Sequence, residues 1–447
     1  MADLLLRNAH TIITMDDHNT DWTDADLHLR DGVIVGIGQG LPAINKTLNC
    51  VGCVVTPGLV NTHHHLYQTL TRAVPGAQNA ALFGWLKELY PIWGRFTPDH
   101  MRISALTGLA ELALSGCTMS SDHLYLYPNG SRLDDTIEAA HEIGLRFHPT
   151  RGSMSIGQSA GGLPPDNLVE DEHAIINDSI RVIDTFHDPS PASMLRVGLA
   201  PCSPFSVSQE LMRDTAALAR DKGVMLHTHL AENDEDIAYG LHMFGQHPGD
   251  YAETLGWTGP DVWHAHGVKL NADEIALFAR TNTGVAHCPC SNARLGSGIA
   301  PVAAMMRAGV KVGLGVDGSA SNDAGNMMEE TRMAMLLQRL DLGADAMTPR
   351  DALRLATHGG AAVLGRGAEC GQLTPGYRAD IAVWDVTGVD SAGSWDPAAL
   401  VLAGPRRVKH LIVDGRIIVA DGHLCTIDLP LVVERQNQMA RALALTQ

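Results

Sequence analysis

Basic residues are scarce in this chain. Lysine and arginine together number 32, against 50 aspartates and glutamates, so the formal net charge of the 447-residue chain is −18. Such an acidic balance argues against a nucleic-acid polymer or an anionic membrane as the partner. No apolar stretch approaches the roughly 20 residues that a helix needs to span a bilayer, so we expect no membrane association. A small substrate recognised by local groups fits this composition better.

A disulfide framework is also lacking. The eight cysteines follow no regular spacing, and the first seven residues are too few and too charged for a secretory leader. We therefore expect a protein of the reducing cytoplasm. Hydrophobic residues make up 45% of the chain, which is enough for a sizeable core. The length suits either two or three average domains or one large α/β barrel with additions.

Strand-like and helix-like segments alternate through residues 56–367, which predicts a parallel sheet with crossover helices. The predicted strand ends are His63, Asp122, His148, Pro201, His229, His266, Cys288 and Asp317. Eight such units describe a (β/α)8 barrel, an α/β fold whose active sites lie at the carboxyl ends of the strands. Short strands and turns in residues 1–55 and 368–447 predict a small β-sandwich domain built from both chain ends, with a C-terminal tail.

Three consecutive histidines stand at the end of the first predicted barrel strand. In an extended chain, side chains two apart point to the same side, so His63 and His65 can converge on one metal ion while His64 points away. Neutral imidazole is a strong zinc ligand. A chance cluster or a surface turn is the alternative interpretation, because the chain contains 22 histidines.

Later strand ends carry similar side chains. The fifth strand ends in His227 and His229, and Glu232 follows three residues after the latter. Either histidine could complete the metal site, and the glutamate suits a proton shuttle or a substrate clamp. The sixth strand ends in His266 and the eighth in Asp317. Each alone could be an ordinary strand end or helix cap, but together they fall where a barrel places its reacting face.

A resemblance to a known family is carried by four segments, residues 57–65, 229–232, 287–292 and 314–318. They resemble the amidohydrolase superfamily, in particular its aminohydrolase (deaminase) branch, and the resemblance covers nearly the whole chain. It implies metal ligation by His63, His65, His229 and Asp317. It also implies catalytic roles in proton transfer and water polarisation for Glu232 and His266, with Asp317 assisting deprotonation of the water. His227 and His264 have no role in the family pattern and are expected to be structural.

The resemblance also bears on the number of metal ions. Family members with two metals bridge them with a carboxylated lysine or a glutamate at the end of the fourth strand. Residues 201–203 of this chain are proline, cysteine and serine instead. We therefore expect one Zn²⁺ per subunit, with Fe²⁺ as the alternative metal. We also expect the chain to form a homo-oligomer.

The substrate is expected to be an amino-substituted heterocycle. Gln68 stands three residues after the second metal histidine, as a glutamine does in guanine deaminases, and its amide offers a donor and an acceptor to a purine edge. The arginine that those enzymes carry after the fourth strand is absent, and Cys202 and Ser203 stand there. Residues 66–72 and 85–91 resemble bacterial 8-oxoguanine deaminases.

These resemblances imply a metal-dependent hydrolytic deaminase that converts 8-oxoguanine to urate and ammonia. The predicted substrate contacts are Gln68, Glu232, Trp85, Cys202 and Ser203. The Trp85 indole would stack on a flat ring, unless it simply belongs to the core. A hydroxyatrazine-type triazine aminohydrolase and a guanine or isoxanthopterin deaminase are the alternatives within the family. A non-catalytic barrel that serves as a scaffold is the alternative from another class, but such proteins usually lose metal ligands that this chain keeps.

Overall fold

A computed structural model describes residues 3–404 and 406–445, so Met1, Ala2, Pro405, Thr446 and Gln447, all in the predicted end domain, lie outside the described residues. The strands are β1 (Leu4–Ile13), β2 (Asp21–Arg30), β3 (Val33–Gly38), β4 (Thr47–Asn49), β5 (Cys53–Pro57), β6 (Leu59–Asn61), β7 (Cys117–Leu124), β8 (Arg146–Ser153), β9 (Gly198–Pro201), β10 (Met225–Leu230), β11 (Val262–His266), β12 (Gly284–His287), β13 (Lys311–Leu314), β14 (Ile381–Asp385), β15 (His410–Val413), β16 (Arg416–Ala420) and β17 (His423–Leu424).

The α-helices are α1 (Leu82–Trp93), α2 (Pro98–Leu114), α3 (Leu133–Ile143), α4 (Glu172–Phe186), α5 (Gln209–Lys222), α6 (Asp234–Phe244), α7 (Pro248–Thr254), α8 (Ala272–Thr281), α9 (Pro289–Arg294), α10 (Val302–Ala308), α11 (Ser319–Asn322), α12 (Met327–Leu342), α13 (Pro349–Arg354), α14 (Gly360–Val363), α15 (Pro397–Val401) and α16 (Leu429–Ala444). Short 3₁₀ turns occur at Leu66–Thr71, Pro75–Ala77, Pro128–Gly130, Gln158–Ala160 and Asp166–Leu168, and a π-helical turn at Leu355–Gly359. No helix in the described part of the chain is long and apolar enough to cross a membrane.

Eight of these strands, β6 to β13, form a closed parallel barrel in chain order. The barrel closes where Leu314 of β13 pairs with Asn61 of β6. The strands are short and almost wholly buried, because helices cover their outer face and packed side chains fill the interior. The predicted (β/α)8 fold is confirmed. The candidate metal-binding side chains lie at or just beyond the carboxyl ends of β6, β10 and β13.

The crossover helices begin and end at residues that favour such boundaries. The pattern predicts a helix over residues 209–222, and α5 spans the same residues. The Ser208 hydroxyl accepts a hydrogen bond from the Leu211 N–H at its start. Gly223 ends the helix in the left-handed region, at φ +70°, where glycine is favoured because it has no Cβ. These local signals are the reason why the barrel units could be predicted from the sequence.

Both chain ends build one nine-stranded sheet, as predicted. Its strand order is β17-β16-β15-β14-β5-β1-β2-β3, with β4 beside β1. The hairpin turns at Asp31-Gly32 and Asp414-Gly415 have φ of 51° and 75°, and of 52° and 76°, which is the conformation that tight two-residue hairpins require. Strand β5 leads from this end sheet directly into β6 of the barrel. The predicted domain limits themselves stay a prediction.

A buried arginine fastens the end sheet to the barrel. Arg146, the first residue of β8, donates to Asp380 Oδ2 at 2.6 Å, just before β14, and to Asp414 Oδ1 at 2.5 Å, between β15 and β16. Its guanidinium also reaches the main-chain carbonyls of Ala192 and Ser193. Burial alone would lower the pKa of Arg146, but the carboxylates outweigh burial and raise it. The guanidinium is therefore charged, and each of its three nitrogens donates a hydrogen bond.

The Arg146→Leu substitution should lower the free energy of unfolding by about 3–5 kcal/mol, because it leaves the buried carboxylate of Asp380 without its cationic partner. Urea unfolding measures this loss. Arg30→Leu is the control, since Arg30 pairs with Asp3 at an exposed position of the same sheet, and its unfolding midpoint should stay nearly unchanged. An Arg146→Leu protein as stable as the parent would show that these ion pairs do not fasten the sheet.

Candidate active site

Four side chains predicted as metal ligands converge at the carboxyl end of the barrel. His63 and His65 follow β6, His229 lies near the end of β10, and Asp317 follows β13. His65 Nε2 lies 3.0 Å from His229 Nε2. Asp317 Oδ1 lies 3.3 Å from His65 Nε2 and 3.4 Å from His63 Nε2. All four side chains are buried.

The protonation of two of these rings follows from their neighbours. His65 Nδ1 lies 2.7 Å from the main-chain oxygen of His123, and His229 Nδ1 lies 2.6 Å from that of Cys202. A carbonyl oxygen only accepts hydrogen bonds, so both Nδ1 atoms donate. Burial lowers the pKa of both rings, which keeps them neutral and leaves a lone pair on each Nε2. The contact between the two Nε2 atoms is therefore a meeting of two lone pairs, not a hydrogen bond.

Two lone pairs at this distance repel each other unless a cation lies between them. His63 Nε2 is likewise buried without a hydrogen-bond partner, and Asp317 adds a carboxylate at the same point. This set of donors fits a metal ion such as zinc, which binds neutral imidazole and carboxylate groups. The chemistry of the residues thus describes a candidate metal site, and the assignment of individual ligands stays a prediction.

His123 belongs to the same cluster, although it is not among the ligands predicted from the sequence. Ligand atoms of His63, His65, His123 and His229 all lie within 4.8 Å of one another. His123 lies in β7, one residue after the predicted strand end, and its Nε2 donates to the carbonyl of Ala200 at 2.9 Å. The only sequence signal was its place beside a strand end. That signal does not distinguish His123 from other polar strand-end residues.

Hydrogen bonds hold both carboxylate oxygens of Asp317. Oδ2 accepts from the hydroxyls of Ser291 at 2.5 Å and Ser321 at 3.0 Å, and Oδ1 accepts from the Gly318 N–H at 2.7 Å. Donors around a carboxylate favour its ionised form. Asp317 is therefore held as an anion in a fixed orientation. The two serines were not predicted, since they reach Asp317 from the short helices α9 and α11.

Glu232 and His266 form a pair beside this cluster. Glu232 Oε2 lies 3.7 Å from His266 Nε2, and His266 Nδ1 donates to the side-chain oxygen of Asn292 at 2.9 Å. Burial raises the pKa of Glu232 to about 7, so this carboxyl can give or take a proton near neutral pH. Burial alone would lower the pKa of His266, but the Glu232 and Asp317 carboxylates outweigh it and raise that pKa.

Most of the predicted site residues open onto one small pocket. It is lined by His65, Gln68, Leu82, Trp85, Leu86, Tyr90, Tyr125, Cys202, Phe205, His229, Glu232, His266, Leu295, Asp317 and Ser321. Gln68 Oε1 is buried without a hydrogen-bond partner, so it is available to a bound ligand. The Trp85 indole N–H donates to the Ala320 carbonyl at 3.1 Å, which fixes the ring in the pocket wall.

Ser203 does not line this pocket. Its hydroxyl lies 2.9 Å from the hydroxyl of Ser206, and both side chains are buried. The predicted substrate contact at Ser203 therefore has no support from this pocket and stays a prediction, whereas Cys202 does line the pocket. Tyr125 and Phe205 line the pocket as well and were missed, because the sequence does not reveal which aromatic residues beyond a strand end turn inward.

The closed barrel and the histidine–carboxylate cluster at its carboxyl end define a barrel of the amidohydrolase type. Residues 54–418 match the model of the Amidohydrolase family, and the chain belongs to that family. It is 47% identical to the 8-oxoguanine deaminase of Pseudomonas aeruginosa, over 87% of this chain and 87% of that protein. It is 36% identical to the hydroxydechloroatrazine ethylaminohydrolase of Pseudomonas sp. strain ADP, over 96% of this chain and 93% of that protein.

Solved structures agree with this placement. The zinc complex of the atrazine chlorohydrolase of Arthrobacter aurescens TC1 superposes with a TM-score of 0.94 at 35% identity, covering 98% of this chain and 100% of that one. The resemblance to the amidohydrolases that the sequence predicts is therefore confirmed.

Another buried carboxyl lies behind the site. Glu330 of α12 accepts from the Cys290 N–H at 3.1 Å and from the Asn322 side-chain N–H at 2.6 Å. These two residues lie in α9 and α11, the helices whose side chains hold Asp317 and His266. Glu330 therefore ties together the support of the site. Burial raises the pKa of Glu330 to about 8.

The Glu330 carboxyl should make stability depend on pH. Its pKa in the folded protein, about 8, exceeds its ordinary value of 4.5, so the folded state binds this proton more tightly than the unfolded state does. The resulting stabilisation is complete below pH 4.5 and is lost as the pH rises through 8. In Glu330→Gln this loss is absent.

We therefore expect the free energy of unfolding of Glu330→Gln, relative to the parent, to increase between pH 4.5 and 8. The slope should be at most about 1.4 kcal/mol per pH unit. Urea unfolding of both proteins across this range measures it. A difference that does not change with pH would contradict the raised pKa.

Proposed function

We propose that the chain is a hydrolytic deaminase that converts 8-oxoguanine to urate and ammonia, with one zinc ion per subunit. The observation that carries this proposal is the meeting of unprotonated imidazole nitrogens and a carboxylate in the wall of a pocket, beside a glutamate whose pKa is near neutral. The identity of 47% to the Pseudomonas aeruginosa 8-oxoguanine deaminase supports the choice of substrate. The cytoplasmic location and the homo-oligomeric state stay predictions.

The zinc ion would be held by Nε2 of His63, His65 and His229 and by Oδ1 of Asp317. When bound, it would supply the Lewis acidity that makes water nucleophilic near neutral pH. The proposal is limited to one metal ion because Pro201 ends β9 and Cys202 follows it, so this strand end offers no lysine or glutamate as a bridge. Fe²⁺ is the alternative metal.

The protein's own groups move the protons. Glu232, partly protonated at neutral pH, donates to the ring nitrogen next to the carbon that carries the amino group, so attack leaves no full negative charge on the ring. Asp317 accepts a proton from the attacking water and returns it to the departing ammonia. His266, oriented through Nδ1 by Asn292, helps to polarise the water. One C–O bond forms, one C–N bond breaks, and one water is consumed. The proton of the new hydroxyl returns to Glu232 as ammonia leaves and the carbonyl forms, so both carboxyl groups end as they began.

Three pocket residues are proposed to bind the purine. Gln68 Oε1, which has no partner in the protein, would accept a hydrogen bond from a ring N–H. Trp85 offers a flat apolar face, held in place by its hydrogen bond to Ala320. Burial raises the pKa of the Cys202 thiol to about 12, so Cys202 stays protonated and can serve only as a weak donor.

An assay of ammonia release tests this function. The protein as purified is incubated with 8-oxoguanine, guanine, isoxanthopterin or hydroxyatrazine, and ammonia and the ring product are quantified. We expect 8-oxoguanine to have the highest kcat/KM and to yield urate and ammonia in equal amounts. Release of an alkylamine from hydroxyatrazine, with no ammonia from 8-oxoguanine, would favour the triazine alternative. If metal analysis of the purified protein finds neither zinc nor iron, the result would favour the non-catalytic scaffold.

Glu232→Gln is the matched variant for this assay. It keeps the size and polarity of the side chain but removes the transferable proton, so turnover should fall by about 10²–10⁴-fold while the metal content stays that of the parent. Metal analysis and steady-state kinetics separate the two effects. Near-normal turnover in this variant would rule out Glu232 as the proton donor.

Gly318→Ala should weaken binding of the purine through Gln68. A Cβ at residue 318 would lie 1.8 Å from Gln68 Oε1, yet the backbone there, at φ −72° and ψ 142°, suits any residue. The substitution therefore displaces the glutamine amide without straining the main chain. We expect kcat/KM for 8-oxoguanine to fall about 5- to 150-fold, the equivalent of losing one buried hydrogen bond.

Gly36→Ala is the control for this substitution. Gly36 lies in the end sheet, where an added Cβ would make only an ordinary contact with Leu41, so kinetics should not change. If Gly318→Ala has the same kcat/KM as the parent, Gln68 does not contact the substrate as proposed.

A further inference from the structure

We infer that His227 is a positioning residue that fixes the protonation state of His63, so that His63 Nε2 is free to bind a metal ion. This inference deepens the proposed function and rests on the proposed metal site. It departs from the sequence analysis, in which His227 was expected to be merely structural.

His227 touches both a proposed ligand and the barrel wall. It lies in β10, is fully buried, and its Nε2 lies 2.8 Å from His63 Nδ1. Its Nδ1 lies 2.9 Å from the carbonyl oxygen of Trp263 in β11. The imidazole also stacks on the Trp263 indole, with ring centroids 4.5 Å apart and planes 17° apart. The position of the His227 ring is therefore determined on three sides.

These contacts determine where each proton lies. The Trp263 carbonyl can only accept, so His227 Nδ1 carries a hydrogen and donates it. The His227 ring is fully buried between His63 and the Trp263 indole, where a charged ring would be costly, so it is neutral and its Nε2 has a lone pair. His63 Nδ1 must then be the donor in the contact between the two rings. His63 is fully buried as well, so the ring that donates from Nδ1 is neutral and has its lone pair on Nε2.

The free lone pair on His63 Nε2 is what allows this ring to bind a cation. His63 Nε2 has no hydrogen-bond partner and lies 3.4 Å from Asp317 Oδ1, an acceptor that is itself negatively charged. With the opposite tautomer, His63 would donate to Asp317 from Nε2 and would offer no lone pair to a cation. The hydrogen bond to His227 prevents that tautomer. Groups that orient ligand histidines in this way are known to strengthen metal sites generally.

His63 depends on a side chain, whereas the other two histidines depend on the backbone. His65 and His229 donate from Nδ1 to the main-chain oxygens of His123 and Cys202, which no substitution removes. The tautomer of His63 can therefore be changed by altering residue 227 alone. This difference makes the inference testable.

His264 provides a matched control from the same fold. It is the third residue of β11, as His227 is of β10, and it too is buried. Its Nε2 donates to the Trp257 carbonyl at 3.0 Å, and its ring stacks on Phe278. It makes none of the contacts with the proposed ligands that His227 makes. Loss of His264 should therefore affect packing without affecting the tautomer of His63.

The experiment compares His227→Phe, His227→Gln and His264→Phe in the full chain. Phenylalanine keeps a flat ring against Trp263 but removes the acceptor, whereas the glutamine side-chain oxygen can still accept from His63 Nδ1. We expect His227→Phe to raise the zinc dissociation constant about 10- to 100-fold, measured by competition with a chelator. His227→Gln and His264→Phe should bind zinc as the parent does.

Nitrogen-15 NMR of the histidine rings in the metal-free parent gives a readout that does not depend on activity or on any variant. We expect His63 to be protonated at Nδ1. Protonation at Nε2 would overturn the inference, as would unchanged zinc affinity in His227→Phe or equal losses in the Phe and Gln variants. If the parent itself binds neither zinc nor iron, the proposed function fails, whereas the NMR result still decides the role of His227.

Discussion

The site depends on one electrostatic constraint, the close approach of groups that all carry lone pairs. Imidazole nitrogens and a carboxylate oxygen lie 3.0 to 3.4 Å from one another in a buried setting. Side chains on a flexible surface would turn apart or take up protons. Here the parallel barrel fixes the strand ends, and each histidine nitrogen on the far side is already occupied by a hydrogen bond. The rigid barrel therefore maintains a repulsion that a cation relieves.

Residues outside the pocket hold the proposed ligands in position, and further residues hold those residues in turn. Asp317 is held by hydroxyls of α9 and α11, and these helices are in turn joined by Glu330 of α12. His63 is held by His227, which is held by the Trp263 carbonyl. Each chain of contacts ends on a helix or strand of the barrel. The ligand positions are thus set by the packing of several units, and no single loop determines them.

The sequence predicts the parts of this site that follow from strand geometry. Alternation along an extended chain indicated that His63 and His65 point the same way. The apolar segments located all eight strands, although β8 ends at Ser153 and not at the predicted His148. Alternation fails where the backbone leaves the extended region, as it does at His266 and Asp317, whose φ values are +74° and +60°. There the direction of a side chain depends on the turn and on its neighbours.

Contacts between distant segments of the chain were the other feature of the site that the sequence did not predict. His123, and the hydroxyls that hold Asp317, contribute through tertiary contacts that no local pattern reports. By contrast, the family motifs brought the distant Asp317 into the predicted ligand set without any knowledge of its contacts.

The end sheet can form all its strand pairs only late in synthesis, because it contains strands from both ends of the chain. Strand β5 pairs with β1 on one edge and with β14 on the other, and β14 is translated only after the whole barrel. While the barrel emerges from the ribosome, one edge of β5 therefore has no partner, and an open strand edge favours pairing with other chains. The Arg146 ion pairs form only when the last strands arrive. The nascent chain therefore keeps this strand edge open until residues 381–385, at the far end of the sequence from β5, have been made.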